Sequence, residues 1–74
     1  MSPMEYLVII EEGPTSFSAY VPDLPGCAAA AETRQETLSL MQEAIEFHIE
    51  EMKASGEDVP PPTSHCELVK VRAA

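Results

Sequence analysis

Thiols and imidazoles are the side chains of this sequence that could bind a transition metal. Zinc takes about four ligands, and the available set is Cys27, His48, His65 and Cys66. The two cysteines form no CxxC pair, and the adjacent His65 and Cys66 would point to opposite faces of a strand. Two reduced, structural thiols explain the cysteines better than a zinc site does. We therefore expect no metal ligand in this chain.

The sequence also lacks the residue combinations that usually support catalysis. Neither histidine lies in a nucleophile motif such as GxSxG, and the three glycines form no phosphate-binding loop. Carboxylates such as Glu5, Glu11 and Asp23 could bind Mg²⁺, but they are dispersed and no Lys or Arg lies near them to receive a phosphate. We therefore expect no catalytic residue, no cofactor and no cofactor-binding residue, in a protein that is not an enzyme.

The charge balance is strongly acidic, because thirteen Asp and Glu against four Lys and Arg give a formal net charge of −9. Phosphate would repel such a chain, since nucleic-acid affinity depends on Lys and Arg. We expect no direct nucleic-acid binding and instead a basic protein partner, because opposite charges speed encounter. The alternative that stays open is that the acidity serves solubility alone.

Three short strands are predicted in the first half of the chain. Residues 4–11 (MEYLVIIE) and residues 16–21 (SFSAYV) are joined by a short link with glycine and proline, which is typical of a β-hairpin. Two prolines in residues 22–26 (PDLPG) must end the second strand. Residues 27–32 (CAAAAE) favour a third strand made of small side chains.

A long helix is predicted to begin at a capping box formed by Thr33 and Glu36. It should end near Gly56, because three prolines follow and prevent its renewal. At about 100° per residue, its apolar residues form one stripe that would face the sheet. This stripe contains Leu38, Met41, Ile45, Ile49 and Met52, with His48 beside it.

The outer side of the predicted helix carries two large apolar residues, Leu40 and Phe47, with Ala44 between the two faces. A lone helix on a sheet should be polar there. One interpretation is two scattered surface residues, which are common. The other is an interface for a second subunit or a partner protein, and we assign Leu40, Ala44 and Phe47 to it, with self-association preferred. The acidic residues that would face a partner on the same outer surface are Glu36, Glu43 and Glu50.

A proline-stiffened connector (residues 56–64) and a last strand (residues 66–72) complete the prediction. That strand would return to a sheet edge, where Lys70 and Arg72 discourage further pairing. The expected fold class is α+β, β-β-β-α-β, an antiparallel sheet with one long helix packed on one face, in one domain of residues 1–74. Its small core favours a homodimer or higher oligomer. With no signal peptide or membrane-spanning run, we expect a soluble, cytoplasmic protein.

This order of elements resembles the N-terminal domain of the HicB antitoxin family. The resemblance spans roughly residues 4–71 and includes the turn motif PDLPGC followed by a capped helix. Members of the family often add a C-terminal DNA-binding domain, and these 74 residues contain none. The residues that carry the resemblance are Tyr6–Ile10, Ala19–Cys27, Thr33, Glu36, Leu38, Ala44 and Ile45.

The resemblance implies a partial RNase H-like or dsRBD-like fold that binds and neutralises a small basic toxin, HicA, which cleaves messenger RNA. Two other functions stay open. One is an orphan, homo-oligomeric regulatory or small-ligand-binding domain without a toxin partner. The other is a nuclease that retains RNase H-like chemistry and would cleave RNA with a metal ion.

Overall fold

The computed structural model describes residues 4–73, in which three strands are followed by one long helix. The strands form one antiparallel sheet in the order β1-β2-β3, so that β1 and β3 are its edges. The helix packs on one face of this sheet and lies over β2 and β3. The predicted α+β class is thereby confirmed for β-β-β-α. The elements are β1 (Ile9–Glu12), β2 (Phe17–Tyr20), β3 (Ala28–Ala31) and α1 (Arg34–Ala54).

The hairpin between β1 and β2 forms where the glycine and proline predicted it. The amide of Gly13 donates a hydrogen bond to the Ser16 carbonyl at 2.8 Å and closes the loop. Ile10 lies opposite Ala19 in the ladder, and Ala19 is buried against the helix. Because side chains alternate along a strand, Tyr20 lies on the other face of the sheet, where it is 42% exposed.

The turn between β2 and β3 folds back tightly on itself. The Leu24 amide donates to the Val21 carbonyl, and the Cys27 amide donates to the Leu24 carbonyl, both at 3.1 Å. These bonds turn the Leu24 side chain inward, where it is completely buried. Gly26 has a φ of +84°, a left-handed conformation that other residues adopt only with strain. A Cβ there would meet no atom within 4 Å, so conformation and not space requires the glycine.

The helix begins and ends as predicted. Thr33 is the N-cap, and its hydroxyl oxygen accepts a hydrogen bond from the Glu36 amide at 3.1 Å. The Thr33 hydroxyl also lies 3.1 Å from Oε1 of Glu36, to which it donates. At the other end, the Gly56 amide donates to the Lys53 carbonyl, and Gly56 has a φ of +75°. Both ends therefore satisfy backbone groups that a helix leaves unpaired.

The side of α1 that is buried against the sheet is rotated around the helix axis relative to the predicted apolar stripe. Thr37 is completely buried, whereas Leu38 is 41% exposed. A polar side chain tolerates this position because the Thr37 hydroxyl donates to the Thr33 carbonyl at 2.8 Å. Leu38 follows one residue later, about 100° around the helix, and so lies on its flank. The hydrophobic core consists of Ala19, Val21, Leu24, Cys27 and Met41.

The predicted fourth strand at residues 66–72 is wrong for this structure. Within residues 4–73, this segment pairs with no strand and all of its side chains are exposed. The alternation of apolar and charged residues identifies a segment that suits a sheet, but it does not identify the edge or the chain that provides the partner. The first strand, Ile9–Glu12, is also shorter than the predicted residues 4–11 and ends one residue later.

Candidate protein-interaction surface

The outer surface of α1 exposes two large apolar side chains. Leu40 is 42% exposed and Phe47 is 64% exposed, and their spacing of seven residues places them on the same side of the helix. Ala44, which was assigned to the same interface, is half-buried and packs against the core. Ala44 therefore lies at the margin of this surface, with Phe47 as its most prominent apolar group.

Three carboxylates lie along the same outer surface. Glu36, Glu43 and Glu50 are all exposed, and a spacing of seven residues separates neighbours by about 10 Å along the helix axis. Glu36 also accepts the hydrogen bond from the Thr33 hydroxyl, so the capping box fixes its position. The helix thus presents a row of negative charge beside an exposed aromatic ring. Such a surface suits a cationic partner that also offers apolar contacts.

Asp23 holds the connector against the turn after β2. Its two carboxylate oxygens accept hydrogen bonds from the amides and hydroxyls of Thr63 and Ser64, at 2.8–3.1 Å. The bonds from Ser64, followed by those from Thr63, lower the pKa of Asp23 because they stabilise the charged carboxylate. We call this arrangement the Asp23 clamp. No pattern in the sequence indicated it, because the partners are 40 or more residues apart.

Tyr6 joins the unpaired residues before β1 to the same connector. Its hydroxyl donates a hydrogen bond to the Pro60 carbonyl. Burial raises the pKa of Tyr6, and the negative charge of Asp23 raises it further. The phenol therefore stays protonated and keeps its hydrogen bond across the physiological pH range. Together with the Asp23 clamp, this contact fixes the path of the chain as far as Ser64.

An apolar groove lies between α1 and the residues that precede β1. Tyr6 and Val8 form one wall, Leu38 and Ile45 form the other, and Met41 lies at its base. Its volume is about 440 Å³. The groove exists because the helix lies over β2 and β3 and leaves the β1 side uncovered. We call it the β1 groove; the sequence analysis did not predict it.

The residues considered for metal binding are not brought together. Cys27 is buried in the core, and Cys66 is exposed. Burial raises the pKa of the Cys27 thiol, which suits a structural cysteine and not a nucleophile. His48 is half-buried on α1, and His65 is exposed beyond the connector. Among the described residues 4–73, no three His, Cys, Asp or Glu side chains lie close enough together to hold a metal ion.

Comparison with known proteins identifies the family to which the chain is similar. The family described as "HicB_like antitoxin of bacterial toxin-antitoxin system" matches residues 6–73. This chain belongs to that HicB-like family. No solved structure shows a significant match, and no helix within residues 4–73 is long and apolar enough to cross a membrane.

Two relatives show how far the similarity extends. An uncharacterised 14.9 kDa protein from the rep–hol intergenic region of Haemophilus phage HP1 is 40% identical over 57 residues. That alignment covers 77% of this chain and 43% of the phage protein, so the chain spans less than half of that relative. The UPF0150 protein Ta0767 of Thermoplasma acidophilum is 38% identical over 58 residues, which cover 77% of this chain and 84% of the relative.

Proposed function

We propose that this chain, as a single domain of residues 1–74, is a non-catalytic antitoxin that binds and neutralises a small basic toxin of the HicA type. The observation that supports this most directly is the row of exposed carboxylates on α1 beside the exposed Phe47. An mRNA-cleaving toxin must bind phosphate through Lys and Arg. Carboxylates spaced along a helix can occupy those cations in place of RNA.

The two parts of the surface have separate roles in this proposal. Glu36, Glu43 and Glu50 contact the toxin, because their charges speed encounter with a cationic protein and orient it. Leu40 and Phe47, with Ala44 at the margin, serve self-association into a homodimer or higher oligomer, because apolar side chains provide the buried area that charge alone does not. The protein binds no nucleic acid itself and acts in the cytoplasm, where messenger RNA is cleaved.

The test is binding of the purified full chain to a purified HicA-type toxin, measured by calorimetry at low and high salt. We expect binding that weakens as salt screens the charges. Glu43→Lys with Glu50→Lys should abolish it or weaken it by roughly 100-fold, since each lost contact to a charged partner is worth about 1.5–3 kcal/mol. Glu57→Lys with Asp58→Lys is the matched control, because it makes the same change in net charge on the exposed connector.

Equal losses in the two variants would contradict the assignment of the helix, because net charge alone would then explain binding. No binding by the wild-type chain would favour the orphan regulatory domain. RNA cleavage by the chain alone with Mg²⁺ or Mn²⁺ would favour the nuclease. Leu40→Glu with Phe47→Glu should lower the association state measured by sedimentation and leave toxin binding intact. An unchanged association state would mean that these two residues do not belong to the interface between copies.

A further inference from the structure

Residues 66–72 (CELVKVR) have the pattern of a strand but no partner. From Val69 onwards apolar and basic residues alternate, as in a strand with one buried face, yet Leu68, Val69 and Val71 are 101%, 77% and 79% exposed. The molecule is 51 Å long, although α1 itself spans only about 32 Å. The Asp23 clamp holds Thr63 and Ser64 against the body. This exposed segment therefore leaves the body of the molecule just after the clamp.

The structure also contains a place that a strand would fill. Within residues 4–73, the outer edge of β1 pairs with no strand. Unpaired backbone groups along an edge are a ready template for another strand. The β1 groove lies beside this edge, on the face of the sheet that the helix covers only partly. A strand added at β1 would point every second side chain into the groove.

We propose that the exposed segment of one copy adds as a strand to the β1 edge of a second copy. Val69 and Val71 then enter the β1 groove between Val8 and Ile45. Because alternate residues point to opposite faces, Leu68, Lys70 and Arg72 lie on the outer face of the sheet, and Glu67 lies on the same side as the two valines, where the groove begins. The exchange is reciprocal, so that each copy both donates a strand and receives one.

The outer face of the receiving strand complements this pattern. Ile9 and Glu11 of β1 lie on that face by alternation, and Glu5 and Leu7 continue the same pattern in the unpaired residues before β1. Two carboxylates thus flank two aliphatic side chains, against which the donor presents one leucine and two cations. Cross-strand pairs of opposite charge and of apolar residues both stabilise a sheet.

The charge distribution along the chain favours a second copy as the occupant. Residues 65–74 contain one acidic residue, Glu67, and the two basic residues Lys70 and Arg72. Residues 1–64 contain the other twelve acidic and two basic residues, so this part carries −10 and the remainder +1. A basic toxin would be repelled by the segment, whereas the acidic body of this chain type attracts it. The segment extends away from its own body, with Leu68 fully exposed, and so it is placed to reach the body of another copy. The exchange uses neither the carboxylates of α1 nor Phe47, and so it does not depend on the proposed function.

The first test compares the wild-type full chain with Val69→Glu, Val71→Glu by sedimentation equilibrium. Both valines are exposed in the single chain, so the substitutions leave the fold of the monomer intact, which circular dichroism checks. We expect them to weaken dimerisation by roughly 100-fold or more, because two valines lose their buried site and two charges would have to enter it. A monomeric wild type would overturn the proposal. So would an equally stable dimer with and without Val69→Glu, Val71→Glu when both chains also carry Leu40→Glu, Phe47→Glu, which removes the outer helix surface.

The second test identifies which chain donates the strand. Copies with isotope-labelled valine methyl groups are mixed with unlabelled copies, and nuclear Overhauser contacts are recorded only between the two kinds. We expect the methyls of Val69 and Val71 to contact the ring of Tyr6 in the other copy. If the dimer gives no such contact between the two kinds of copy, the segment does not pair with a second chain, and the exchange is wrong.

The control for both tests is Leu40→Glu, Phe47→Glu, which adds the same two charges on the other flank of α1. We expect this variant to keep the contacts between Val69 or Val71 and Tyr6, whatever happens to any larger assembly. Loss of those contacts would mean that the outer helix surface makes the dimer and that the exchange is wrong. Toxin binding by the Val69→Glu, Val71→Glu variant is a separate test of the proposed function. If the variant binds no toxin, the contacts between Val69 or Val71 and Tyr6 in the wild type still decide whether the exchange is correct.

Discussion

At the scale of single residues, Asp23 links two distant parts of the chain. It belongs to a turn that packs Leu24 into the core, and it accepts four hydrogen bonds from a connector 40 or 41 residues further along the chain. Hydrogen bonds to a charged acceptor are stronger than those between neutral groups. One carboxylate thus decides where the chain leaves the body of the molecule, and therefore where the exposed segment begins.

We expect Asp23→Asn to loosen residues 63 and 64, because an amide offers one acceptor oxygen and turns its own donors toward the hydroxyls of Thr63 and Ser64. Amide hydrogen exchange at these two residues should become faster in the variant. Asp58→Asn is the matched control, since Asp58 is an exposed carboxylate of the same connector. Unchanged exchange in Asp23→Asn would mean that the contacts of Tyr6 and Pro60 hold the connector without the Asp23 clamp.

The lowered pKa of Asp23 gives the same clamp a defined pH dependence. A carboxyl whose pKa is lower in the folded than in the unfolded chain stabilises the fold above its ordinary pKa. It loses that contribution as the pH falls through the lowered value. Protection of residues 63 and 64 should therefore persist at neutral pH and disappear in acid, below the ordinary aspartate range. Asp23→Asn should lack this acid transition, and an identical transition in both proteins would assign it to another carboxylate.

At the scale of elements, the capping box determines where α1 begins. Thr33→Ala should lower the free energy of unfolding by about 1 kcal/mol, because it leaves the Glu36 amide without its side-chain acceptor. Ser39→Ala, at an exposed position in the second turn of the helix, is the control and should change stability only slightly, in the stabilising direction. Urea unfolding monitored by circular dichroism measures both, and equal effects of the two substitutions would show that the cap contributes nothing.

The elements that were predictable from the sequence are those with local signals. Thr33, Glu36 and Gly56 mark the helix ends within a few residues, and the prolines around Asp23 mark the turn. The burial of Thr37 in place of Leu38 was not predictable, because it depends on a hydroxyl bond that the helical period does not encode. The prediction of a fourth strand was wrong for a related reason. The sequence pattern at residues 66–72 indicates a strand but does not indicate which strand it pairs with.

The candidate site was predictable only in part, for the same physical reason. The exposure of Leu40 and Phe47 follows from the helical period and agrees with the structure. The β1 groove follows from the position of the helix over β2 and β3, which is a tertiary property. The Asp23 clamp joins residues far apart in sequence, and no local pattern reveals such a contact.

At the scale of the whole molecule, a net charge of −9 on 74 residues has opposite effects on folding and on binding. Mutual repulsion of carboxylates destabilises a compact acidic protein, whereas the same charges attract a basic partner. Salt should therefore raise the midpoint of thermal unfolding of the chain and lower its affinity for the proposed toxin. The screening length falls from about 30 Å at 0.01 M salt to about 8 Å at 0.15 M salt. Both the rise in thermal midpoint and the fall in toxin affinity should therefore occur between these two concentrations.

Glu43→Gln and Glu50→Gln separate these two effects, because they remove the same charge from the same side of α1. Glu43 has a like charge three residues later, Glu46. Glu50 lies four residues after Glu46 but three before Lys53, so its removal ends one repulsion and one attraction. At low salt, Glu43→Gln should raise the thermal midpoint by about 1–3 °C, and Glu50→Gln should leave it nearly unchanged. Both should weaken toxin binding to a similar extent, since both carboxylates belong to the proposed contact. If only the variant with the raised thermal midpoint bound the toxin less tightly, the loss of binding would follow stability. The row of carboxylates on α1 would then not be the toxin-binding surface.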